Sequence, residues 1–383
     1  MADRLARDHA RELHAMRTPL NKSRRPTCLP DFLFPAHELC FLHHDVLVEL
    51  LRAGGESGTF QHELPFSDDS DRIAFDAAED VFQWLETSGR ARDRADLLRL
   101  IVFPALLSDF LHFVYEALES SRTAKLAVCY ALIRKPIQEN LFLLETIAID
   151  AHHFSQQLST SPQRLRAQKA GGLDVHERRI ADTLAVLEDE RFDARYLTRL
   201  RYDRAANDGF DGLCNRAIHL FTDHEAIRTE PLNVNFIFSG DGERLAQWYQ
   251  LYSRLPYLLD YARQVVEHVC AQFSVTAPTY RADMERRMMA ATLLWAPGIA
   301  TEFRHDVIER YVAATRRRLV WECSRAGFAS PSTRDLVRMK TIGAFPGEST
   351  MSAHRRNVRN AALELRRRMG EALGSYVGRL ARR

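Results

Sequence analysis

The sequence predicts an all-α protein: a multi-helix bundle, divisible into two lobes, with at most a minor two-stranded β element. Three observations carry this. Apolar residues recur three and four apart through most of the chain, as in Leu39, Leu42, Val46 and Leu50, the spacing that lines one face of a helix. Only two short stretches, 60–66 and 232–238, alternate at a period of two; a lone strand cannot satisfy its backbone, so each is the other's visible partner. Glycines and prolines mostly punctuate the periodic segments and only occasionally interrupt them.

Taken in order, residues 2–16 read as a short, highly charged helix, followed by loop with Pro19, Pro26, Pro30 and Pro35. A helix over 36–53 is closed by Gly54 and Gly55. Residues 56–71 are a loop, and Asp71 is placed to cap a helix over 72–87. Two long helices over 92–121 and 123–153 meet near Ser120-Ser121 as an antiparallel hairpin. From Ser159 to Asp174 the composition turns polar, with Gly171-Gly172, which divides an N-terminal lobe, 1–158, from a second lobe, 172–325. Helices over 174–189, 193–204 and 211–223 lead into the second alternating stretch. Ser239-Gly240-Asp241-Gly242 turns the chain into a helix over 243–273. Helices over 279–296 and 301–325 and a loop over 326–350 follow. A basic amphipathic helix within 350–383 completes the chain.

The 383 residues suffice for a well-buried core. Net charge is +2, so bulk charge implies no pull toward nucleic acid or anionic lipid. Arginine dominates the basic residues, with lysine only at 22, 125, 135, 169 and 340. The six cysteines, without a CxxC pair, read as small buried hydrophobes in a reducing compartment. The N-terminus lacks a signal-peptide apolar core, and the longest uncharged run, 288–301, is too short to span a bilayer. A cytoplasmic protein without membrane contact is expected.

The segment Ala124 to Phe154 is the most informative. Pro136 interrupts its apolar pattern and deprives Leu132 of a hydrogen-bond donor. Around it lie Arg134, Lys135, Gln138, Glu139 and Asn140, polar residues between apolar runs, and buried charges need partners. They form either a polar pocket or a structural ion-pair network. Arg134, Glu139, His153 and His219 are the candidate pocket residues. Asp150/His153, Glu302/His305 and Asp109/His112 each have the three-residue spacing that can chelate from one helix face, but such pairs are no more frequent than chance supplies. No metal and no cofactor is expected, since no Walker A, dinucleotide-binding or HExxH pattern occurs. The spacing Arg-x(4–6)-His occurs three times, with Arg263 and His268 in the best helical context; they are the candidate catalytic pair of a metal-independent ribonuclease. Near the C-terminus, Val358, Ala362, Leu365, Met369, Leu373, Tyr376 and Leu380 form a coiled-coil-like seam, a possible homodimer contact. Arg355, Arg356, Arg359, Arg366, Arg367 and Arg368 beside it are candidates for contacting RNA, DNA or an acidic protein partner.

Two segments carry a resemblance. Ile133-Arg134-Lys135-Pro136-Ile137-Gln138-Glu139-Asn140-Leu141 and His219-Leu220-Phe221-Thr222 resemble marks of a loose group of poorly characterised all-helical bacterial proteins, some of them HEPN-like or associated with abortive infection. The likeness covers about 110–270. It implies a helical interaction or regulatory protein of phage defence; that the arginine-rich C-terminal helix engages nucleic acid or an acidic partner is expected from its composition. The alternative is a HEPN-like ribonuclease, from which the chain departs in lacking a unique Arg/His motif.

Overall fold

The structure, a computed structural model, describes residues 27–61, 63–235, 240–274 and 276–363. Among these all regular structure is helical, as the apolar spacing predicts. The described residues divide into two compact units, a larger one of Thr27–Ser274 with Ile299–Glu309 and a smaller one of 276–298 with 310–363.

The helices of the larger unit are α1 (Phe34–Glu56), α2 (Asp69–Ala77), α3 (Val81–Thr87), α4 (Ala91–Arg122), α5 (Leu126–Lys135), α6 (Leu141–Ile149), α7 (Ala151–Thr160), α8 (Leu173–Leu187), α9 (Ala194–Tyr202), α10 (Phe210–Ile218) and α11 (Asp241–Ala271). Helix α11 is the axis. Every residue from Gln250 to Arg263 is buried, so it is enclosed on all sides, and α1 and α6 pack against it. Helices α4 and α5 form the expected hairpin; Ala124 at φ 62° lets the chain reverse in three residues. By length and composition alone α4 is apolar enough to cross a bilayer. Here Phe103, Leu107, Phe110, Val114 and Leu118 on it are core residues.

Several boundaries differ from the sequence reading, each for a local reason. The helix expected over 72–87 is two helices, because Asp68 and Asp80 both act as caps, each accepting a backbone N–H (from Asp71 and Gln83) at 2.8 Å. Asp71 instead accepts from the Trp84 indole at 2.7 Å. The helix expected over 123–153 is broken at Pro136 and again at Asp150, where the Asp150 carboxylate caps α7. The two-stranded element is absent from the described residues: 60–61 and 63–66 are irregular, and Leu232 turns at φ 63°. Asn235 is tied to the end of α10, its N–H donating to Leu220 O at 3.1 Å and its amide to His219 O at 2.9 Å. Residues 236–238 and His62 lie outside the described residues. The boundary expected between 159 and 171 does not separate units, because a buried ion-pair cluster joins α6 to α8 and α9 across it.

The smaller unit contains α12 (Pro278–Trp295), α13 (Asp306–Arg325, from 310 on), α14 (Thr333–Ile342) and α15, helical over 350–363. Met289, Leu293, Leu319, Cys323, Leu336 and Met339 form its core. Helix α14 lies in the expected loop. Its signal is the capping box Ser332-x-x-Asp335 ahead of Leu336 and Met339. Gly343 ends it at φ 66°, the left-handed position glycine favours. A Cβ there would overlap the Asp283 carboxylate, which Arg286 and Arg287 hold at 2.6 and 2.8 Å. Gly343→Ala is therefore expected to lose about 1–2 kcal/mol from the backbone alone and more from displacing Asp283, measured by urea denaturation.

Five of the six cysteines are buried and all are free; burial pushes the Cys270 thiol up to about 12. Burial also lowers His37, toward about 4 from 6.5, with Arg122 adding to it and Glu119 opposing. The ring meets the Tyr252 hydroxyl at 2.7 Å. The folded state thus disfavours the proton. Stability is fully present above pH 6.5 and falls as pH drops toward 4, because the unfolded chain takes up the proton first. A pH series of unfolding midpoints should show this loss, and His37→Gln should reduce it, with His176 contributing the same way over the same window.

Candidate functional site

The segment around Pro136 carries a buried polar network in the larger unit. Proline at the start removes an N–H, and Pro136–Asn140 winds as a π-helical turn. The Leu141 N–H reaches back to Pro136 O, which releases the Ile137 carbonyl. Arg201 takes it, donating from Nε at 2.6 Å, while Tyr202 donates its hydroxyl to Gln138 O at 3.1 Å. The rest of the Arg201 guanidinium pairs with Glu145, and both side chains are fully buried. Glu145 also accepts from Arg179 Nε at 3.1 Å and from the Tyr261 hydroxyl at 2.8 Å. Gln138 donates to Arg201 O at 2.6 Å and to Asp211 at 2.8 Å, and Asp211 pairs with Arg204 at 3.0 Å. Burial alone would raise the Glu145 carboxyl; the two guanidiniums and the hydrogen bonds outweigh it and hold it below the ordinary range. His176 stacks on Tyr202 at 3.8 Å and is lowered to about 4 by burial and the neighbouring arginines. Every polar atom of Arg201 is engaged, so this is a structural network at the helix break.

The four pocket candidates do not share partners. Arg134 is half-buried, and its Nε has no hydrogen-bond partner among the described residues. Glu139 accepts from Gln168 at 3.1 Å. His153 is exposed, with its ring against Gln157 at 2.9 Å. His219 is exposed at the end of α10. The Asp150/His153 spacing belongs to a helix cap, and Asp109 pairs with Lys135 at 2.8 Å and Asn140 at 2.7 Å. Among the described residues no group of three or more His, Cys, Asp and Glu is placed to hold a metal ion. Sequence reasoning missed Glu145, Arg179, Arg201 and Tyr202. Their signal was present: Glu145 is the lone charge in the apolar run Leu141–Ile149.

The two members of the candidate catalytic pair stand in different surroundings. Arg263 is 1 % exposed and held by Asp260 at 2.7 Å and Glu267 at 2.6 Å. His268 lies five residues on, about 140° around the helix, half-buried and lowered by desolvation. The Arg263 guanidinium is thus buried and paired with two carboxylates in this structure.

Charge, by contrast, sorts strongly between the two units. In the smaller unit, 276–298 and 310–363 carry fourteen lysines and arginines against five acidic residues. In the larger unit, 27–274 and 299–309 carry twenty-six against forty-one. The net +2 of the chain conceals a basic unit and an acidic one. On the basic unit Arg316, Arg317, Arg334, Arg355 and Arg359 are exposed and have no acidic partner among the described residues. Arg356 turns inward: it pairs with Glu348 at 3.1 Å, donates to Gly343 O at 2.8 Å and lies 5.0 Å from the Phe345 ring centre. Arg366, Arg367 and Arg368, and most of the apolar seam, lie outside the described residues; Val358 of that seam is 41 % exposed.

The fold and these sites thus define an all-helical protein with one acidic and one basic unit. No family model matches the chain, and neither a curated protein nor a solved structure does.

Proposed function

We propose that this chain is a non-catalytic helical interaction protein that engages nucleic acid through its basic unit. The observation that carries the reading is the segregation of charge. A polyanion is attracted by local positive density, and fourteen cations against five anions, several of them unpaired on the surface, supply it. The basic C-terminal helix belongs to this interface through Arg355 and Arg359, while Arg356 holds the helix to its own unit. Phage defence as the setting rests on the sequence resemblance alone. The test is fluorescence anisotropy of a labelled oligonucleotide titrated with the full chain at several salt concentrations. Binding that weakens steeply with salt is expected.

A further inference from the structure

Helix α13 presents a second feature on its solvent side. Tyr311, Thr315, Leu319 and Cys323, four apart, are each at most 1 % exposed and face the core. The opposite stripe carries Arg317, Trp321 and Arg325, again four apart and all exposed. Trp321 is 57 % exposed, whereas the other three tryptophans, Trp84, Trp248 and Trp295, are at most 5 % exposed. A singly exposed apolar side chain is ordinary on a surface; what marks this indole is that its own stripe carries an arginine one turn before it and one turn after it. One face of the ring is covered: the Arg325 guanidinium carbon lies 4.8 Å from its centre, a cation–π contact that restrains the indole. One turn before it stands Arg317, with no acidic partner among the described residues.

We propose that Trp321 is a stacking platform for an unpaired base, with Arg317 and Arg325 holding the flanking phosphates, so that the ligand of the basic unit is single-stranded nucleic acid. This inference rests on the nucleic-acid reading above. An aromatic ring interleaved with arginines at one-turn spacing matches the two parts of a single strand, a flat π-face and a charge every nucleotide. A duplex hides its base planes and offers the phosphates alone. The chemistry is common to single-stranded DNA and RNA, because both present a base plane and a phosphate.

Trp321 is the exposed one of four tryptophans, so the difference in intrinsic fluorescence between the parent and a Trp321 variant reports on it. The full chain is titrated with oligo(dT), oligo(rU), a duplex of equal length, an abasic phosphate-backbone strand and polyglutamate. Both single strands should quench the emission and bind more tightly than the duplex or the abasic strand, whichever sugar proves the better ligand. Trp321→Ala should weaken single-strand binding about tenfold to a hundredfold, leave abasic binding unchanged and abolish the quench. Trp321→Phe should restore part of the affinity, and circular dichroism checks that both variants fold. Single-strand binding that Trp321→Ala leaves untouched, or duplex binding as tight as single-strand binding, overturns the platform while leaving the basic interface standing. Polyglutamate binding as tight as oligo(dT) also overturns it, in favour of an acidic protein partner. No binding to any nucleic acid overturns both readings.

Discussion

Replacing Glu145 with alanine is expected to cost about 3–5 kcal/mol of unfolding free energy. The reason is what the substitution leaves behind. Arg201 is fully buried and Arg179 nearly so, and Glu145 is the carboxylate paired with both. Without it, two guanidinium charges sit in a low-dielectric interior, one between helix carbonyls and tyrosine rings. Neither charge can be shed, since arginine stays protonated. Glutamine at 145 keeps a partner for the Tyr261 hydroxyl but not the charge, so it should recover only a small part. Tyr261→Phe removes one hydrogen bond and should cost about 1 kcal/mol. Urea denaturation followed by far-ultraviolet circular dichroism gives all three values. The same carboxylate has a pH signature. Its folded pKa is depressed, so its contribution is present above the unfolded value near 4.5 and is lost as pH falls through the folded one. The alanine variant should therefore lose less stability than the parent on acidification below pH 4.5.

Replacing Arg316, Arg317, Arg355 and Arg359 together with alanine should leave stability nearly unchanged and reduce nucleic-acid affinity on the order of a hundredfold at low salt. All four are exposed and have no ion pair among the described residues, so the fold loses little; substitutions at such positions typically stay within about 0.5 kcal/mol. Each lost phosphate contact should also flatten the dependence of log affinity on log salt by about 0.7 for a single strand. Arg356→Ala is the contrasting control. It removes the pairing with Glu348 and the bond to Gly343 O, so it should lower stability first and affinity second.

The all-helical class was legible because helix periodicity repeats in nearly every segment. The same helical spacing could not locate breaks set by single side chains, such as the Asp80 and Asp150 caps, or the π turn that Pro136 starts. Loop residues misled in the opposite direction: Leu232 belongs to an alternating run, yet it turns at positive φ. Gln138, one of the polar residues near Pro136, finds its partners at 201 and 211, and Glu145 finds its own at 179, 201 and 261; pairing across that distance leaves no local pattern. Arg263 shows the limit most plainly. Its spacing to His268 is a property of the helix, whereas its availability depends on Asp260 and Glu267 and on burial, which spacing does not encode. Charge segregation was hidden for a topological reason: the basic unit is assembled from separate stretches of chain interrupted by 299–309.

The central claim is that the basic unit binds a polyanionic strand, and the slope of log affinity against log salt for the full chain and oligo(dT) tests it most directly. A slope of about −3 or steeper, flattened by about 3 in the four-arginine variant, is the predicted result. A slope near zero, or one the variant does not change, contradicts it.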